Sequence, residues 1–288
     1  MTALLPPGSW DTHVHLFDPD QHGAHPDGER NGFTPPQHNA GHIVKSCPSH
    51  NFVVVVPFNQ NTETKQTVNA INSLNSMGRK AKGTVVLQLK EMEETNLRKL
   101  HGSGIRAVRI HEASARVLVG NDENVEQLVR DVAEKVAVVG WRVDLFLPLE
   151  VWARLAPTLR DVHKRLGTTF IADHLCCAGP DDADSEALTE ALRLVEEGVL
   201  HVKLSALNRF CGPKGVEALE AVVRKFVGCR RGEQAMFGSD WPHVIMGPGG
   251  RTEQVDLDRV LRFLHRCCDG DEQLWGKLVR DNAARVYT

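Results

Sequence analysis

The sequence predicts a (β/α)8 barrel, an α/β fold in which eight parallel strands alternate with helices. Eight short runs rich in β-branched and apolar residues recur along the 288 residues, and longer segments with helical spacing separate most of them. Strands that show no polar alternation are typical of a parallel sheet buried on both faces. The main alternative is an open doubly wound sheet. It is disfavoured because no GxGxxG follows an early strand and no GxxxxGK[ST] occurs.

The elements follow one another at the spacing that a barrel requires. The predicted strands begin, in order, near Ser9, Phe52, Gly83, Ile105, Trp141, Thr168, His201 and Ala235. Apolar residues three and four positions apart predict helices, because this spacing places them on one helix face. The clearest examples lie at 125–139, 216–226 and 255–264, and we expect a final helical segment at about 271–287. No linker interrupts the pattern, so we predict a single domain across residues 1–288.

The segment from Asp18 to His50 departs from this pattern. It is rich in proline, glycine, asparagine and histidine, which predicts a long loop after the first strand with at most a short helix. Long loops in compact domains often cover a functional site or are mobile, and this one contains no motif that assigns it a role.

The composition excludes several classes of function. The chain has 34 basic and 37 acidic residues, a formal net charge of -3, so it lacks the basic excess typical of nucleic-acid binding. It contains no run of 18 apolar residues and no signal-peptide pattern, so we expect no membrane association. Seven cysteines form no CxxC, which indicates reduced thiols in a cytoplasmic protein. A homo-oligomer is compatible with the sequence.

Titratable side chains follow several predicted strands at their carboxyl ends. His13 and His15 end the first strand, and side-chain alternation points both to the same side. Asp173 and His174 follow the sixth strand, and Asp240 follows the eighth. Barrel active sites are built at this end, so we expect these groups to share one site. Several uncompensated polar groups there would cost about several kcal/mol unless they satisfied one another or a ligand.

Further candidates could bind a substrate anion. Arginine presents a fork that holds a carboxylate through two parallel hydrogen bonds. Arg109 lies on the fourth strand, Arg209 follows the seventh, and Arg116 follows the fourth. His111 on the fourth strand and His243 after the eighth could line the same site. The structural interpretations, an ion pair for each arginine and turn packing for His243, remain open.

Together these motifs resemble the amidohydrolase superfamily, and within it the branch of 2-pyrone-4,6-dicarboxylate hydrolases and sugar lactonases. The residues that carry the resemblance are His13-x-His15, His174 in Ala-Asp-His-Leu, Asp240 in Gly-Ser-Asp-Trp-Pro-His, and the closing Asp-Asn-x-x-Arg. The resemblance implies a barrel that hydrolyses amides, esters or lactones. It also implies that Arg109 and Arg209 hold substrate carboxylates, with Arg116 as the weaker third candidate. It implies that Asp240 takes a proton from the attacking water and returns it to the leaving oxygen, while the three histidines polarise the carbonyl and orient the water.

The resemblance leaves two alternatives for a metal. Metal-dependent members draw on the HxH pair, the eighth-strand aspartate and a histidine of strand five, but strand five here, at 143–147, has no histidine. The pyrone-dicarboxylate branch works without metal, so we favour no cofactor. The alternative is one divalent metal, zinc above all, held by His13, His15, His174 and Asp240.

The sequence therefore predicts a hydrolase, a lactonase that opens the cyclic ester of a small, carboxylated substrate. The alternative among enzymes is a metal-dependent decarboxylase of a small unsaturated or aromatic acid, which metal content and release of carbon dioxide would distinguish. The alternative from another class is a non-catalytic barrel that binds a ligand. The presence of all four residues of the predicted site argues against it.

Overall fold

The predicted eight-stranded parallel sheet is present in the computed structural model, which describes residues 5–17, 38–57, 64–111, 125–245 and 251–288. The strands pair in chain order, each parallel to the next. They are β1 (Trp10–Val14), β2 (Asn51–Val55), β3 (Ala81–Val85), β4 (Ile105–His111), β5 (Arg142–Phe146), β6 (Phe170–Ala172), β7 (Leu200–Leu204) and β8 (Ala235–Phe237). All eight predicted strands are confirmed.

The sheet closes into a barrel where β1 meets the segment after β8. Val14 forms an isolated parallel bridge with Trp241, and the His15 amide donates to the Trp241 carbonyl over 2.8 Å. One residue earlier on each side, the Asp240 amide donates to the His13 carbonyl over 2.9 Å. This closure confirms the predicted (β/α)8 class and brings the first and last strand ends of the chain together.

Helices connect the strands and bury one face each. They are α1 (Ala40–Ser46), α2 (Thr64–Ser76), α3 (Glu94–Gly102), α4 (Val125–Ala137), α5 (Leu149–Leu166), α6 (Glu186–Glu196), α7 (Leu207–Phe210), α8 (Glu220–Gly228), α9 (Leu257–Cys267), α10 (Glu272–Gly276) and α11 (Asn282–Tyr287), with a π-helical turn at Lys277–Asp281. A short antiparallel pair, β9 (Val244–Ile245) and β10 (Arg251–Thr252), follows β8. None of the helices in the described ranges has both the length and the apolar character of a membrane span.

The helices form where the apolar spacing predicts them. In α4 the buried side chains include Leu128, Val129, Val132 and Val136, which lie on one face and join the main apolar core. The segment predicted at 255–264 begins as helix slightly later, because Asp256 caps α9 by accepting a hydrogen bond from the Arg259 amide.

The segment predicted as a loop from Asp18 to His50 is described only in part. Its described portion contains the short helix α1, which Asn39 caps by accepting hydrogen bonds from the amides of Gly41 and His42. Residues 18–37 lie outside the described residues.

Candidate active site

Three imidazoles surround one carboxylate oxygen at the carboxyl ends of β1, β6 and β8. The Nε2 atoms of His13, His15 and His174 lie 3.6, 3.4 and 3.9 Å from Oδ1 of Asp240. His15 is 12% exposed, whereas the other three side chains are buried. The structure thus brings together the four residues that the sequence assigns to one site, and their catalytic roles stay a prediction.

The two histidines of β1 are held from behind by acceptor atoms. His13 Nδ1 lies 3.1 Å from Oδ1 of Asp173, and His15 Nδ1 lies 2.9 Å from the carbonyl oxygen of Val55. A carbonyl and an ionised carboxylate can only accept, so the neutral rings carry their proton on Nδ1. In the neutral rings each Nε2 carries the lone pair and faces Asp240, and His15 Nε2 donates to Asp240 only when His15 is protonated.

His174 is carried by a turn of unusual backbone conformation. All four residues from His174 to Cys177 have left-handed φ angles between 53° and 61°. This conformation costs about 1–2 kcal/mol for each non-glycine residue and is often found at functional sites. His174 Nδ1 lies 2.8 Å from Ser205 Oγ. A hydroxyl can donate or accept, so His174, unlike the histidines of β1, is free to carry its proton on Nε2.

Asp240 is presented by the turn after β8, which packs directly against β1. Its φ of 66° is left-handed. A Cβ on Gly238 would lie 2.8 Å from the His13 Cβ, so only glycine allows this approach without movement of β1. Asp11 Oδ1 ties the two segments together by accepting from the amides of Ser239, at 2.8 Å, and His13, at 3.2 Å.

A buried ion network lies beside His13 in the interior of the barrel. Lys203 Nζ lies 2.6 Å from Asp144 Oδ2 and 3.0 Å from Asp173 Oδ1. Arg109 Nε and Nη2 lie 2.9 and 2.7 Å from Asp173 Oδ2. Burial favours the neutral acid, but His13, Lys203 and Arg109 hold the pKa of Asp173 well below its usual value. Burial and the charge of Asp173 raise the pKa of Asp144 to about 7.

The position of Arg109 favours its structural interpretation. Its guanidinium is 6% exposed and already paired with Asp173, and Nη1 also donates to the Val56 carbonyl over 3.3 Å. The Phe146 ring packs beneath it, with the guanidinium carbon 5.8 Å from the ring centroid. A direct role in substrate binding is therefore less well supported for Arg109, and it stays a prediction.

Arg209 reaches the same carboxylate from the open side of the site. Its Nη2 lies 2.7 Å from Asp240 Oδ2 and donates to the Val244 carbonyl over 3.1 Å. Its side chain is 35% exposed. Phe210, the next residue of α7, stacks on the His174 ring at a centroid distance of 6.3 Å. This contact fixes α7 beside the site.

Two further predicted residues, His111 and His243, are buried close to these groups. Burial lowers the pKa of His111 to about 3 and that of His243 to about 4, so both are neutral at ordinary pH. His243 follows the turn of Asp240 and donates its amide to the Asp240 carbonyl over 2.9 Å. Arg116 lies outside the described residues. The substrate-binding roles of all three stay predictions.

The protonation of the site follows from burial and charge. Burial lowers the pKa of His13 well below its usual value and that of His174 to about 4. Burial alone would raise the pKa of Asp240. His174, His15 and Arg209 instead hold it well below its usual range. Asp240 is therefore an ionised carboxylate, and His13 and His174 beside it are neutral imidazoles.

Three of these residues can hold a divalent metal, because His13, His15 and Asp240 each offer a ligand atom within 4.8 Å of the other two, and His174 Nε2 lies 3.9 Å from Asp240 Oδ1. Neutral imidazole nitrogens and a carboxylate oxygen are zinc ligands, and tetrahedral zinc with bonds of about 2.1 Å spaces its ligands about 3.4 Å apart. The Nε2 atom of His13 and Oδ1 of Asp240 are buried and make no hydrogen bond within the described part of the chain. Outer partners that hold the second ring nitrogen are typical of metal-bound histidine. The metal-independent chemistry favoured by the sequence stays a prediction.

Sequence reasoning assigned no role to several supporting residues. They are Asp11, Asp144, Phe146, Lys203, Ser205 and Phe210. A signal existed for two of them, because Asp144 and Lys203 are charged residues with apolar neighbours on both sides in their strands and therefore require a partner. Nothing in the sequence marked Ser205 or Asp11 as a support for the histidines.

Comparisons with known proteins agree with this architecture. The family model described as amidohydrolase matches residues 10–288. A 4-sulfomuconolactone hydrolase from Hydrogenophaga intermedia is 27% identical over 254 residues, which cover 83% of this chain and 76% of that protein. A probable 2-pyrone-4,6-dicarboxylic acid hydrolase from Acinetobacter baumannii, with citric acid bound, superposes with a TM-score of 0.74 at 18% identity, over 97% and 99% of the chains. An amidohydrolase from Burkholderia multivorans with bound zinc superposes with a TM-score of 0.64 at 17% identity, over 97% of this chain and 98% of that chain. At these identities the two structures show the shared fold.

Proposed function

Because the chain belongs to the amidohydrolase family, we propose that it is a hydrolase that opens a lactone in a small anionic substrate. The observation that carries the proposal is the ionised carboxylate of Asp240, with one oxygen facing three imidazoles and the other facing an arginine. The relative that is a 4-sulfomuconolactone hydrolase supports the choice of a lactone among the bonds that this family hydrolyses. The decarboxylase and the non-catalytic barrel are not favoured.

Asp240 is the base in this proposal. A water within hydrogen-bonding reach of Oδ1 transfers a proton to the carboxylate while its oxygen forms a bond to the lactone carbonyl carbon. The ring C–O bond then breaks, and the protonated Asp240 returns the proton to the leaving oxygen. The products are one carboxylic acid and one hydroxyl on the opened chain, and Asp240 ends as the carboxylate with which it began.

The three histidines have different roles because their ring protons lie on different nitrogens. His13 and His15 present lone pairs on Nε2, so one of them can orient the water by accepting its second hydrogen while Asp240 takes the first. Only His174 can carry its proton on Nε2, because its outer partner is the Ser205 hydroxyl. His174 is therefore the group that donates to the substrate carbonyl oxygen and stabilises the negative charge that develops there.

A divalent metal, when bound, would be held by His13, His15, His174 and Asp240 and would act as a Lewis acid toward the carbonyl. The roles proposed for Asp240, His174 and Arg209 use only side chains of the protein and require no metal. We favour the metal-independent form, as the sequence does.

Arg209 supports the choice of an anionic substrate. Its guanidinium is part exposed beside the catalytic carboxylate, where a substrate carboxylate or sulfonate can meet it. The free cysteines, spaced without a CxxC, support a cytoplasmic location.

The proposal is tested with a panel of carboxylated and sulfonated lactones, in which hydrolysis is followed by acid release and the products by mass spectrometry. The expected result is uptake of one water and opening of at least one anionic lactone, without release of carbon dioxide. Release of carbon dioxide from an unsaturated or aromatic acid, with no lactone opened, would establish the decarboxylase instead.

A further inference from the structure

The ion pair between Arg209 and Asp240 engages the proposed base before any substrate binds. From this pair we propose that the substrate anion replaces Asp240 as the ion-pair partner of the Arg209 guanidinium. The protein would then select anionic lactones in the turnover step as well as in binding. The inference rests on the proposed function, and it adds that Arg209 determines specificity by releasing Asp240.

The geometry places Arg209 between the interior and the solvent. Nη2 lies 2.7 Å from Asp240 Oδ2 and 3.1 Å from the Val244 carbonyl, so one end of the guanidinium bridges two acceptors at the site. Nε and Nη1 make no hydrogen bond within the described part of the chain. Asp240 is 1% exposed, whereas the arginine side chain is 35% exposed. An anion entering from solvent therefore meets Arg209 before it can meet Asp240.

The pair opposes the first chemical step. Oδ1 of Asp240 faces the Nε2 atoms of His13 and His15, and Oδ2 holds Arg209. Transfer of a proton from water neutralises the carboxylate and thereby removes the attraction that holds the guanidinium. Unless another anion pairs with Arg209, the loss of this attraction is not compensated and disfavours the proton transfer. A substrate carboxylate becomes the new ion-pair partner of Arg209. Asp240 is therefore released from Arg209 when the lactone ring is bound at the site.

Kinetics distinguish an Arg209 that only binds the substrate anion from one that also restrains Asp240. If Arg209 only bound the substrate anion, its removal would weaken binding of anionic lactones and leave the turnover of neutral lactones unchanged. If it also restrains Asp240, its removal must accelerate neutral lactones, because these cannot draw the guanidinium away. The sign of the change in kcat for a neutral substrate separates the two.

The experiment compares wild type, Arg209→Gln and the control Arg193→Gln on a lactone carboxylate and its uncharged carboxamide. Arg193 is 65% exposed on α6. We expect Arg209→Gln to raise kcat for the carboxamide by about five-fold, and to raise KM for the carboxylate by about ten-fold. Arg193→Gln should change neither. An unchanged or lower kcat for the carboxamide in Arg209→Gln would overturn the inference, whereas wild type that opens neither lactone would overturn the proposed function.

A second measurement does not depend on turnover. Crystals of the wild-type protein grown with glutarate, an unreactive dicarboxylate, should show a probe carboxylate on Arg209 and the distance from Nη2 to Asp240 Oδ2 beyond the roughly 4 Å limit of an ion pair. Retention of the 2.7 Å contact with glutarate bound at the site, or no glutarate at Arg209, would contradict the exchange even in a protein of another activity.

Discussion

Lys203 Nζ lies 3.0 Å from Oδ1 of Asp173, the same oxygen that lies 3.1 Å from His13 Nδ1. One carboxylate oxygen thus links a buried ammonium to an imidazole of the candidate active site. The link accounts for the orientation of His13, whose Nε2 faces Asp240. Asp173 stays ionised because His13, Lys203 and Arg109 hold its pKa well below its usual value, and an ionised carboxylate beside Nδ1 favours the proton on that nitrogen.

Replacement of Lys203 tests this network. Lys203→Met should lower the free energy of unfolding by about 3–5 kcal/mol, because it leaves Asp144 and Asp173 in the interior with one cation instead of two. Adding Asp144→Asn should restore part of the loss. The measurement is urea unfolding, with Lys225→Met, an exposed lysine, as the control. A loss in Lys203→Met no larger than in the control would show that the network is not structural.

Gly238→Ala tests the contact between β1 and the turn of Asp240. The new Cβ would lie 2.8 Å from the His13 Cβ and 3.1 Å from the Ser205 Cβ. We expect a loss of about 1–3 kcal/mol in stability and a loss of roughly 100-fold in kcat/KM from displacement of the base. Gly228→Ala is the control, since its Cβ would have no neighbour within 4 Å. Unimpaired turnover in Gly238→Ala would contradict the close approach.

Ser205→Ala tests the assignment of His174 as the donor to the carbonyl. Without the hydroxyl, His174 Nδ1 loses the donor that the tautomer with its proton on Nε2 requires, so kcat should fall by about ten-fold or more. Ser205→Thr keeps a hydroxyl at the same position and should restore most of the activity, which a purely steric role of Ser205 would not allow. Equal kcat in Ser205→Ala and wild type would remove the assignment.

Removal of metal separates the two forms of the site. The proposed steps use the chain's own groups, so protein treated with a chelator and checked by elemental analysis should hydrolyse its lactone at the untreated rate. A loss of activity that zinc restores would assign His13, His15, His174 and Asp240 to a metal.

The sequence predicted the parts of the site that topology determines. His13, His15, His174 and Asp240 follow three different strands, and a parallel barrel places the carboxyl ends of all its strands at one end. Their assembly therefore requires only the correct fold class, which the eight apolar runs supply. The short helix within 38–50 was also compatible with the sequence.

What the sequence could not predict depends on which side chains meet inside the barrel. Spacing did not show that Arg109, a candidate for substrate binding, also pairs with Asp173 in the interior of the barrel. Lys203 pairs with Asp144, a residue 59 positions earlier in the chain and on another strand. Spacing along the chain contains no information on such contacts, and the ion pair between Arg209 and Asp240 belongs to the same class.

The measurement that tests the account most directly is the turnover of Asp240→Asn on the best anionic lactone, beside Asp184→Asn as the exposed control. We predict that Asp240→Asn keeps the native circular dichroism and loses roughly 10²–10⁴-fold in kcat, since the amide cannot accept the proton of the water. The control should be unaffected. Hydrolysis by folded Asp240→Asn at a rate close to that of wild type would contradict the account.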